Sequence, residues 1–125
     1  MASDITTIKM DINEVPPRPL VLKQEDNNSR VLIFELTDDG VPLDLTDCNV
    51  SFFVKMPDES VLYQRCEVID EHYGQIRISL SGGFFSMSGA IGCEIVIISH
   101  NSVLSSRRFC IDILPSLYDD EAQEV

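Results

Sequence analysis

The stretch DDGVPLDLTDCNVSFFVKMPDES (residues 38–60) places two tight turns around one alternating strand. Gly40 ends the first turn, because glycine adopts positive φ at no steric cost. Asp44, Thr46 and Asp47 have short polar side chains that bond to nearby backbone groups, which predicts a tight corner. The next segment, CNVSFFVKM, alternates and ends at the turn PDES. Its apolar residues share one face: Val50, Phe52, Val54 and Met56.

Similar alternation continues on both sides of this stretch. Further strands are predicted at residues 8–12, 20–24, 30–37, 61–69, 75–80, 93–99 and 105–113. The segment CEIVIIS (93–99) is apolar on both faces, so an exposed edge of this sequence would aggregate and a central position is expected. The pattern predicts an all-β domain, a two-layer antiparallel sandwich of about seven to eight strands. A small Greek-key barrel is the alternative.

Composition shifts divide the chain into three parts. Residues 1–19 form an N-terminal arm, with a short strand followed by a linker that contains Pro16, Pro17 and Pro19. Residues 20–115 form the sandwich domain, and SGGFFSMSGAIG (81–92) reads as an irregular crossover within it. Residues 116–125 form an acidic C-terminal tail.

The charge of the chain argues against two classes of partner. The formal net charge is −12 and the pI is about 4.3, with 9 basic residues among 21 acidic ones. Nucleic acid binding needs clustered Lys and Arg, and an anionic membrane surface would repel this chain. No apolar run approaches the ~20 residues of a spanning helix. The first residues lack a signal-peptide pattern, so folding in a cytoplasm is expected.

The four cysteines are Cys48, Cys66, Cys93 and Cys110, and their wide spacing does not suggest zinc. Small buried hydrophobic residues are the expectation. A two-residue turn at residues 101–102 would place Cys93 opposite Cys110, close enough for a bridge. A three-residue turn would place the thiols on opposite faces, with Ile95 and Phe109 together on the core face. We prefer the second register and predict free thiols.

The sequence contains no catalytic constellation. His72 and His100 lie in predicted loops, away from the strand cysteines, so solvated histidines are expected. The acidic clusters lack the D-x-D-x-D-G spacing of a calcium loop, and surface turns explain them. We therefore predict no enzyme activity, no cofactor and no metal.

The opening stretch resembles the N-terminal domain of phage baseplate upper proteins, the BppU family. In that family a Gly-x-Pro-apolar-Asp-Leu-Thr corner precedes an alternating strand that ends in a Pro-Asp turn. Here the corner is GVPLDLT (40–46) and the turn is Pro57 and Asp58. The likeness covers roughly residues 8 to 114. This chain has Asp47 and Glu59 where the family pattern commonly has glycine, and Ile91 where an aromatic residue is common.

The resemblance implies an immunoglobulin-like sandwich with a structural role and without catalytic residues. Such domains sit in the tail-tip baseplate and hold receptor-binding proteins onto the tail. The implied partners are a distal tail protein and a receptor-binding protein, with homo-oligomers expected and a trimer favoured. The implied location is the virion tail or baseplate, after assembly in the host bacterial cytoplasm.

Two sets of apolar residues are candidates for protein interfaces. The arm strand cannot bury Ile8, Met10 and Ile12 well by itself, and pairing with a neighbour's sheet edge would bury them. We hypothesise that the arm crosses to another subunit, with folding back on its own sandwich as the alternative. Phe84 and Phe85 in the crossover are the second candidate.

A carbohydrate-binding or host-adhesion module on a similar sandwich is the second functional hypothesis. Such modules stack exposed aromatic residues on sugar rings. This chain has no Trp and three Tyr: Tyr63, Tyr73 and Tyr118. The sequence therefore favours a structural role.

Overall fold

The structure is a computed structural model that describes residues 4–23, 30–80, 88–115 and 123–125. Within these residues the chain forms β-strands and no helix, so none of the described segments is a helix that could cross a membrane. The strands are β1 (Asp4–Asp11), β2 (Leu20–Lys23), β3 (Arg30–Asp38), β4 (Val41–Pro42), β5 (Asn49–Lys55), β6 (Val61–Arg65), β7 (Glu67–Asp70), β8 (Gln75–Ser79), β9 (Gly89–Ile98), β10 (Val103–Ser105) and β11 (Phe109–Leu114). The all-β class is confirmed.

The strands form two sheets that pack face to face. Sheet A has the order β1-β3-β8-β7, with β4 beside β3, and sheet B has the order β2-β11-β9-β5-β6, with β10 beside β9. Phe34 of sheet A meets two rings of sheet B, with centroids 6.4 Å from Phe52 and 5.9 Å from Phe109. All three side chains are buried. The predicted two-layer sandwich is therefore confirmed.

Each sheet contains one parallel pair, which the antiparallel expectation did not include. β1 runs parallel to β3, and β2 runs parallel to β11. The chain passes from β1 in sheet A to β2 in sheet B and back to β3 in sheet A. Parallel neighbours need such a crossover connection, and here the opposite sheet supplies it.

Two predicted strands are each divided in the structure. The segment 61–69 breaks at Cys66, so that β6 belongs to sheet B and β7 to sheet A. The last strand breaks between Ser105 and Phe109, where two residues lie opposite Glu94 and form a bulge. These breaks, together with the short β4, raise the strand number above the seven to eight predicted.

The central position predicted for CEIVIIS is confirmed. β9 pairs with β5 on one side and with β10 and β11 on the other. Its inward side chains are fully covered, and they are Ile91, Cys93, Ile95 and Ile97.

The register between β9 and the strands that follow it differs from both predicted alternatives. Four residues connect β9 to β10, because Val103 pairs with Ile98, and the three-residue turn is therefore wrong. The bulge then pairs Phe109 with Cys93 and Cys110 with Gly92. Ile95 and Phe109 are both buried in the core, as expected.

The cysteines are free, as predicted, but they are not all buried. Cys93 faces the core, whereas Cys110 lies on the opposite face and is exposed. Cys66 is buried and Cys48 is half-buried. The expectation of four buried hydrophobic residues is therefore wrong for Cys110, because the bulge sets its side chain outward.

The opening stretch forms the predicted turns. The Asp44 carboxylate accepts hydrogen bonds from the Thr46 backbone N–H at 3.0 Å and from the Thr46 hydroxyl at 2.5 Å. Asp47 has φ 58° and Glu59 has φ 75°, in the left-handed region that favours glycine. These are the positions where the family pattern commonly has glycine, so the backbone conformation is adopted although the residue differs.

Candidate interaction surfaces

The N-terminal arm packs against its own sandwich. All eight residues of β1 pair with β3, and Ile8 lies beside Phe34. Met10 and Ile12 are 4% and 3% exposed, and Ile8 is partly buried against the core. The expectation that the arm cannot bury these residues by itself is wrong, because β3 offers a free edge within the same chain.

The prolines of the linker cover an apolar cleft between the two sheets. The cavity has a volume of ≈ 190 Å³ and is lined mainly by apolar side chains. Its lining is Ile8, Met10, Pro16, Arg18, Pro19, Leu20, Phe34, Phe109 and Cys110. The arm is also tied to sheet B, since the Arg107 backbone N–H donates to the Ile12 carbonyl at 3.0 Å.

The structure describes only the first of the two predicted sets of interface residues. Ile8, Met10 and Ile12 belong to the core of the chain that carries them. Phe84 and Phe85 lie outside the described residues. The role of all five in contacts between subunits stays a prediction, because the structure describes a single chain.

The outer face of sheet A mixes charged and apolar side chains, and Ile5, which is 62% exposed, lies beside Val31 of the neighbouring strand. Lys9 lies beside Glu35 on neighbouring strands, and Arg77 Nη1 is 4.0 Å from Glu67 Oε2. Opposite charges on adjacent strands stabilise a sheet, and here they lie among apolar residues such as Ile33, which pairs with Arg77. A solvated outer face is normal for a sandwich.

The outer face of sheet B carries apolar side chains on four neighbouring strands, β6, β5, β9 and β10, and we call this set the apolar face. Phe53 of β5 stacks on Tyr63 of β6, with ring centroids 5.2 Å apart and planes inclined by 19°. Tyr63 is 68% exposed. Phe53 pairs with Tyr63 and Ile98 with Val103, whereas Ser51 lies beside Val96. The residues of the apolar face are Phe53, Val61, Tyr63, Val96, Ile98 and Val103. Contiguous exposed apolar side chains of this kind mark interaction sites.

A shallow groove crosses the apolar face at Gly92. The groove has a volume of ≈ 320 Å³, and its lining includes Phe53, Val96 and Ile98. Arg108 lies over Gly92, because a Cβ built on this glycine would be 3.3 Å from Arg108 Cδ. Arg108 Nε is 4.0 Å from Glu94 Oε1. The groove thus combines an apolar wall with charged groups at its rim.

Asp11 joins the arm to the first turn of the opening stretch. Its carboxylate accepts hydrogen bonds from the Gly40 backbone N–H at 2.8 Å, the Asn13 backbone N–H at 3.0 Å and the Thr37 hydroxyl at 2.9 Å. These bonds, led by that of Gly40, lower the pKa of Asp11 to about 2. These hydrogen bonds give Asp11 a structural role, because they connect the arm to the turn at Gly40.

The other titratable groups do not assemble a reactive site in the described ranges. No three His, Cys, Asp or Glu side chains there come close enough to hold a metal ion. His72 is exposed, with Nδ1 4.0 Å from Asp44 and Nε2 3.7 Å from Glu71. Burial raises the pKa of the Cys66 thiol to about 12, which suppresses the reactive thiolate.

Sequence reasoning missed the apolar face. The apolar residues on both faces of CEIVIIS could have indicated this surface. We explained them only by a central position of the strand in its sheet. A central strand is covered at its edges by neighbouring strands, whereas its outer face needs a further layer. The described part of this chain supplies no such layer over β9.

Comparison with known proteins identifies relatives by sequence and by fold. A sequence model described as the BppU N-terminal domain matches residues 4–125. A search of the curated proteins gave no match. Among solved structures, the N-terminal domain of phage TP901-1 ORF48 is similar, with a TM-score of 0.68 and 17% sequence identity. The alignment covers 87% of this chain and 99% of that chain, and at this identity it shows the fold alone.

Proposed function

The chain belongs to the BppU N-terminal domain family, and from this membership we propose that it is an adaptor that attaches a receptor-binding protein to the phage tail. The domain is a structural part of a phage baseplate, with a location in the virion tail. Its proposed partners are a distal tail protein and a receptor-binding protein. Assembly takes place in the host bacterial cytoplasm, and the proposed oligomer is a trimer.

The observation that carries this proposal is the apolar face of sheet B. Val61, Tyr63 and Val103 of this face are 62%, 68% and 70% exposed, and Phe53 and Val96 are half-buried. A protein partner that covers apolar surface gains roughly 25 cal/mol per Å². A role in assembly accounts for this surface, and a role in catalysis does not.

The adaptor role is tested by reconstitution with the two partners. The chain is co-expressed with the distal tail protein and the receptor-binding protein of the same phage, and complexes are measured by light scattering. We expect a ternary complex in which this chain is required for the other two to associate. Association of the two partners without this chain, or no binding to either, would contradict the adaptor role.

We further propose that the arm exchanges between subunits in the assembled oligomer. The pairing of β1 with β3 would form equally well between two chains if the linker at residues 13–19 opened. The core contacts of Ile8, Met10 and Ile12 would then be the same contacts made across an interface. Phe84 and Phe85 are proposed as further interface residues.

A cross-link across the β1–β3 pair tests strand exchange. Thr7 and Ile33 are register partners on the outer face, so Thr7→Cys with Ile33→Cys suits a disulfide. The Cys110→Ser background removes the exposed native thiol. Strand exchange predicts covalent dimers or larger species on a non-reducing gel. Cross-linked monomer alone would show that the arm stays in its own chain. Deletion of residues 1–18 gives a second measurement, with unchanged oligomer mass counting against exchange.

A carbohydrate-binding role is the second candidate, and the stacked pair of Phe53 and Tyr63 favours it. Aromatic rings on an open sheet face bind the faces of sugar rings. Lys55, Glu94 and Arg108 at the groove could bond sugar hydroxyls. The family membership favours the adaptor role, so this candidate ranks below it. Binding on a glycan array that is lost in Tyr63→Ala would promote it.

A further inference from the structure

We propose that the apolar face of sheet B is covered by a second copy of this chain, packed face to face about a two-fold axis. The contact deepens the proposed function, because it names the surface through which copies of the domain associate. The axis runs parallel to the strands, between β5 and β9. The two sheets B then form the inner layers of a four-layer assembly.

The distribution of charge around the apolar face supports a second copy as its occupant. Lys55 and Arg65 lie on β5 and β6, on one side of the face. Glu94 and Asp112 lie on β9 and β11, on the other side, together with Arg108, which is paired with Glu94. A two-fold axis between β5 and β9 brings each side of one copy over the opposite side of the other. Lys55 of one copy then lies within two residues, along the strands, of Glu94 and Asp112 of the partner subunit, and Arg65 lies equally near the partner's Glu94. The face is therefore complementary to itself.

The ion pairs within the chain leave this complementarity in place. Lys55 Nζ is 2.7 Å from Glu59 Oε2, but both side chains are largely exposed and such a pair contributes little. The Arg65 guanidinium donates to the Asn49 side-chain oxygen at 2.9 Å, which keeps its charge. Arg108 is 4.0 Å from Glu94, at a distance that leaves the carboxylate open to a second cation.

The size of the face suits a dimer contact. Strands lie about 4.8 Å apart and rise about 3.3 Å per residue, so sheet B measures roughly 20 by 30 Å. A standard interface buries about 800 Å² on each partner, so the contact takes in the whole outer surface of sheet B, with the polar residues that lie among the apolar ones. Face-to-face packing of two sheets at about 10 Å also allows Phe53 and Tyr63 to interdigitate with Val96 and Ile98 of the partner subunit.

The mass of the full chain in solution tests the proposal. Sedimentation or light scattering at about 100 µM lies above the micromolar Kd that marks the weak end for an interface of this size. We expect a mass that is a multiple of two chains. A two-chain mass supports this contact without the proposed trimer, and a six-chain mass supports both. A mass of one chain or of three chains would overturn the two-fold contact. The three-chain mass would still support the proposed trimer.

Matched variants separate the face from general effects on the fold. Tyr63→Glu places a charge on the apolar face and is expected to raise the dimer Kd at least tenfold. Tyr73→Glu changes an equally exposed tyrosine, 63% exposed, in the loop between β7 and β8, and should leave the Kd unchanged. Equal effects of the two substitutions, or no effect of Tyr63→Glu, would contradict the proposal.

Charge exchange tests the symmetry itself. Lys55→Glu alone and Glu94→Lys alone should each weaken association at least tenfold, because like charges then meet across the axis. The double variant exchanges the two signs on both copies and should restore the original Kd to within about threefold. The same exchange on sheet A, Lys9→Glu with Glu35→Lys, is the control. Failure of the double variant to recover association would overturn the two-fold arrangement. Binding of a glycan or another baseplate protein by a monomeric wild-type chain would identify a different occupant and would also overturn it.

Discussion

The Ser106 hydroxyl accepts a hydrogen bond from the Ile95 backbone N–H at 3.0 Å and donates one to the Arg107 carbonyl at 3.0 Å. Ser106 is 5% exposed and lies where the bulge separates β10 from β11. The bulge interrupts the ladder of β9, and the hydroxyl replaces a backbone partner that the neighbouring strand no longer supplies. A single side chain thus permits the register change that sets Cys110 outward.

Ser106→Ala is expected to lower the free energy of unfolding by about 1–3 kcal/mol, because the buried Ile95 N–H loses its acceptor. Urea denaturation followed by circular dichroism measures the change. Ser105→Ala is the matched control, since Ser105 is exposed, and it should stay within about 0.5 kcal/mol of the wild type. Equal stability of the two variants would show that the hydroxyl does not support the bulge.

Glu59→Gly is expected to stabilise the chain by about 0.5–1 kcal/mol. Glu59 has φ 75°, and glycine removes the backbone strain of that conformation at some cost in unfolded-state entropy. The substitution also removes the exposed ion pair with Lys55, which is worth little. Glu59→Ala removes the same ion pair and keeps the strain, so it should not stabilise. Thermal denaturation of both variants provides the measurement, and stabilisation by alanine as well would contradict this explanation.

The stability of the chain should depend on Asp11 between about pH 4 and pH 2. The pKa of Asp11 is lowered from 3.8 to about 2 in the folded chain, chiefly by the Gly40 backbone hydrogen bond. A lowered folded-state pKa gives stability that is present above the unfolded pKa and is lost as the pH falls through the folded pKa. Asp11→Asn should therefore flatten the decline in melting temperature over this interval.

Asp47→Asn is the control for the pH experiment, since Asp47 is exposed and lies outside both the Asp11 network and the apolar face. Nuclear magnetic resonance titration of the Asp11 carboxyl gives a direct measurement. A pKa at or above 3.8 would show that the hydrogen bonds to Gly40, Asn13 and Thr37 are not maintained in solution.

Phe52 and Phe53 are adjacent in β5, yet their truncation should have different consequences. Phe52 is 0% exposed and belongs to the core, so Phe52→Ala should cost about 3–5 kcal/mol. Phe53 lies on the apolar face, and Phe53→Ala should cost less than about 1.5 kcal/mol, mainly the stacking on Tyr63. Denaturation of both variants at protein concentrations low enough to keep the chain monomeric separates the two. Similar losses would mean that the two faces of β5 are assigned incorrectly.

The thiols should differ in reactivity according to burial. Cys110 is exposed and should react rapidly with Ellman's reagent in the native chain, whereas Cys66 and Cys93 should react only on unfolding. Burial raises the pKa of both inner thiols, which reduces the thiolate fraction further. Cys110→Ser should abolish the fast phase. A fast phase that survives this substitution would place another thiol at the surface.

Much of the fold was predictable because its signals are local. Alternation in CNVSFFVKM identified β5 and its inner face, and the Asp-Leu-Thr corner gave a turn in which Asp44 bonds to Thr46. The division of residues 61–69 at Cys66 was not predictable. Nothing within that segment shows that its two halves pair with strands of different sheets.

The individual residues of the apolar face could be recognised in the sequence, but their contact with one another could not. The sequence shows that Phe53, Tyr63 and Val96 are apolar and lie on alternating strands. Their contact depends on the register between β5, β6 and β9, which is set by turns and bulges at a distance. The arm shows the same limit, because its pairing with β3 depends on an edge that only the folded sheet presents.

The sequence by itself determined the strands, the turns and the inward faces of this protein, because periodicity and turn chemistry act between residues that are close in the chain. The tertiary structure alone decided which strands share a sheet, where the arm lies and which outer face is apolar. Those properties arise from contacts between distant segments, and a one-residue change of register would reverse the direction of every side chain involved.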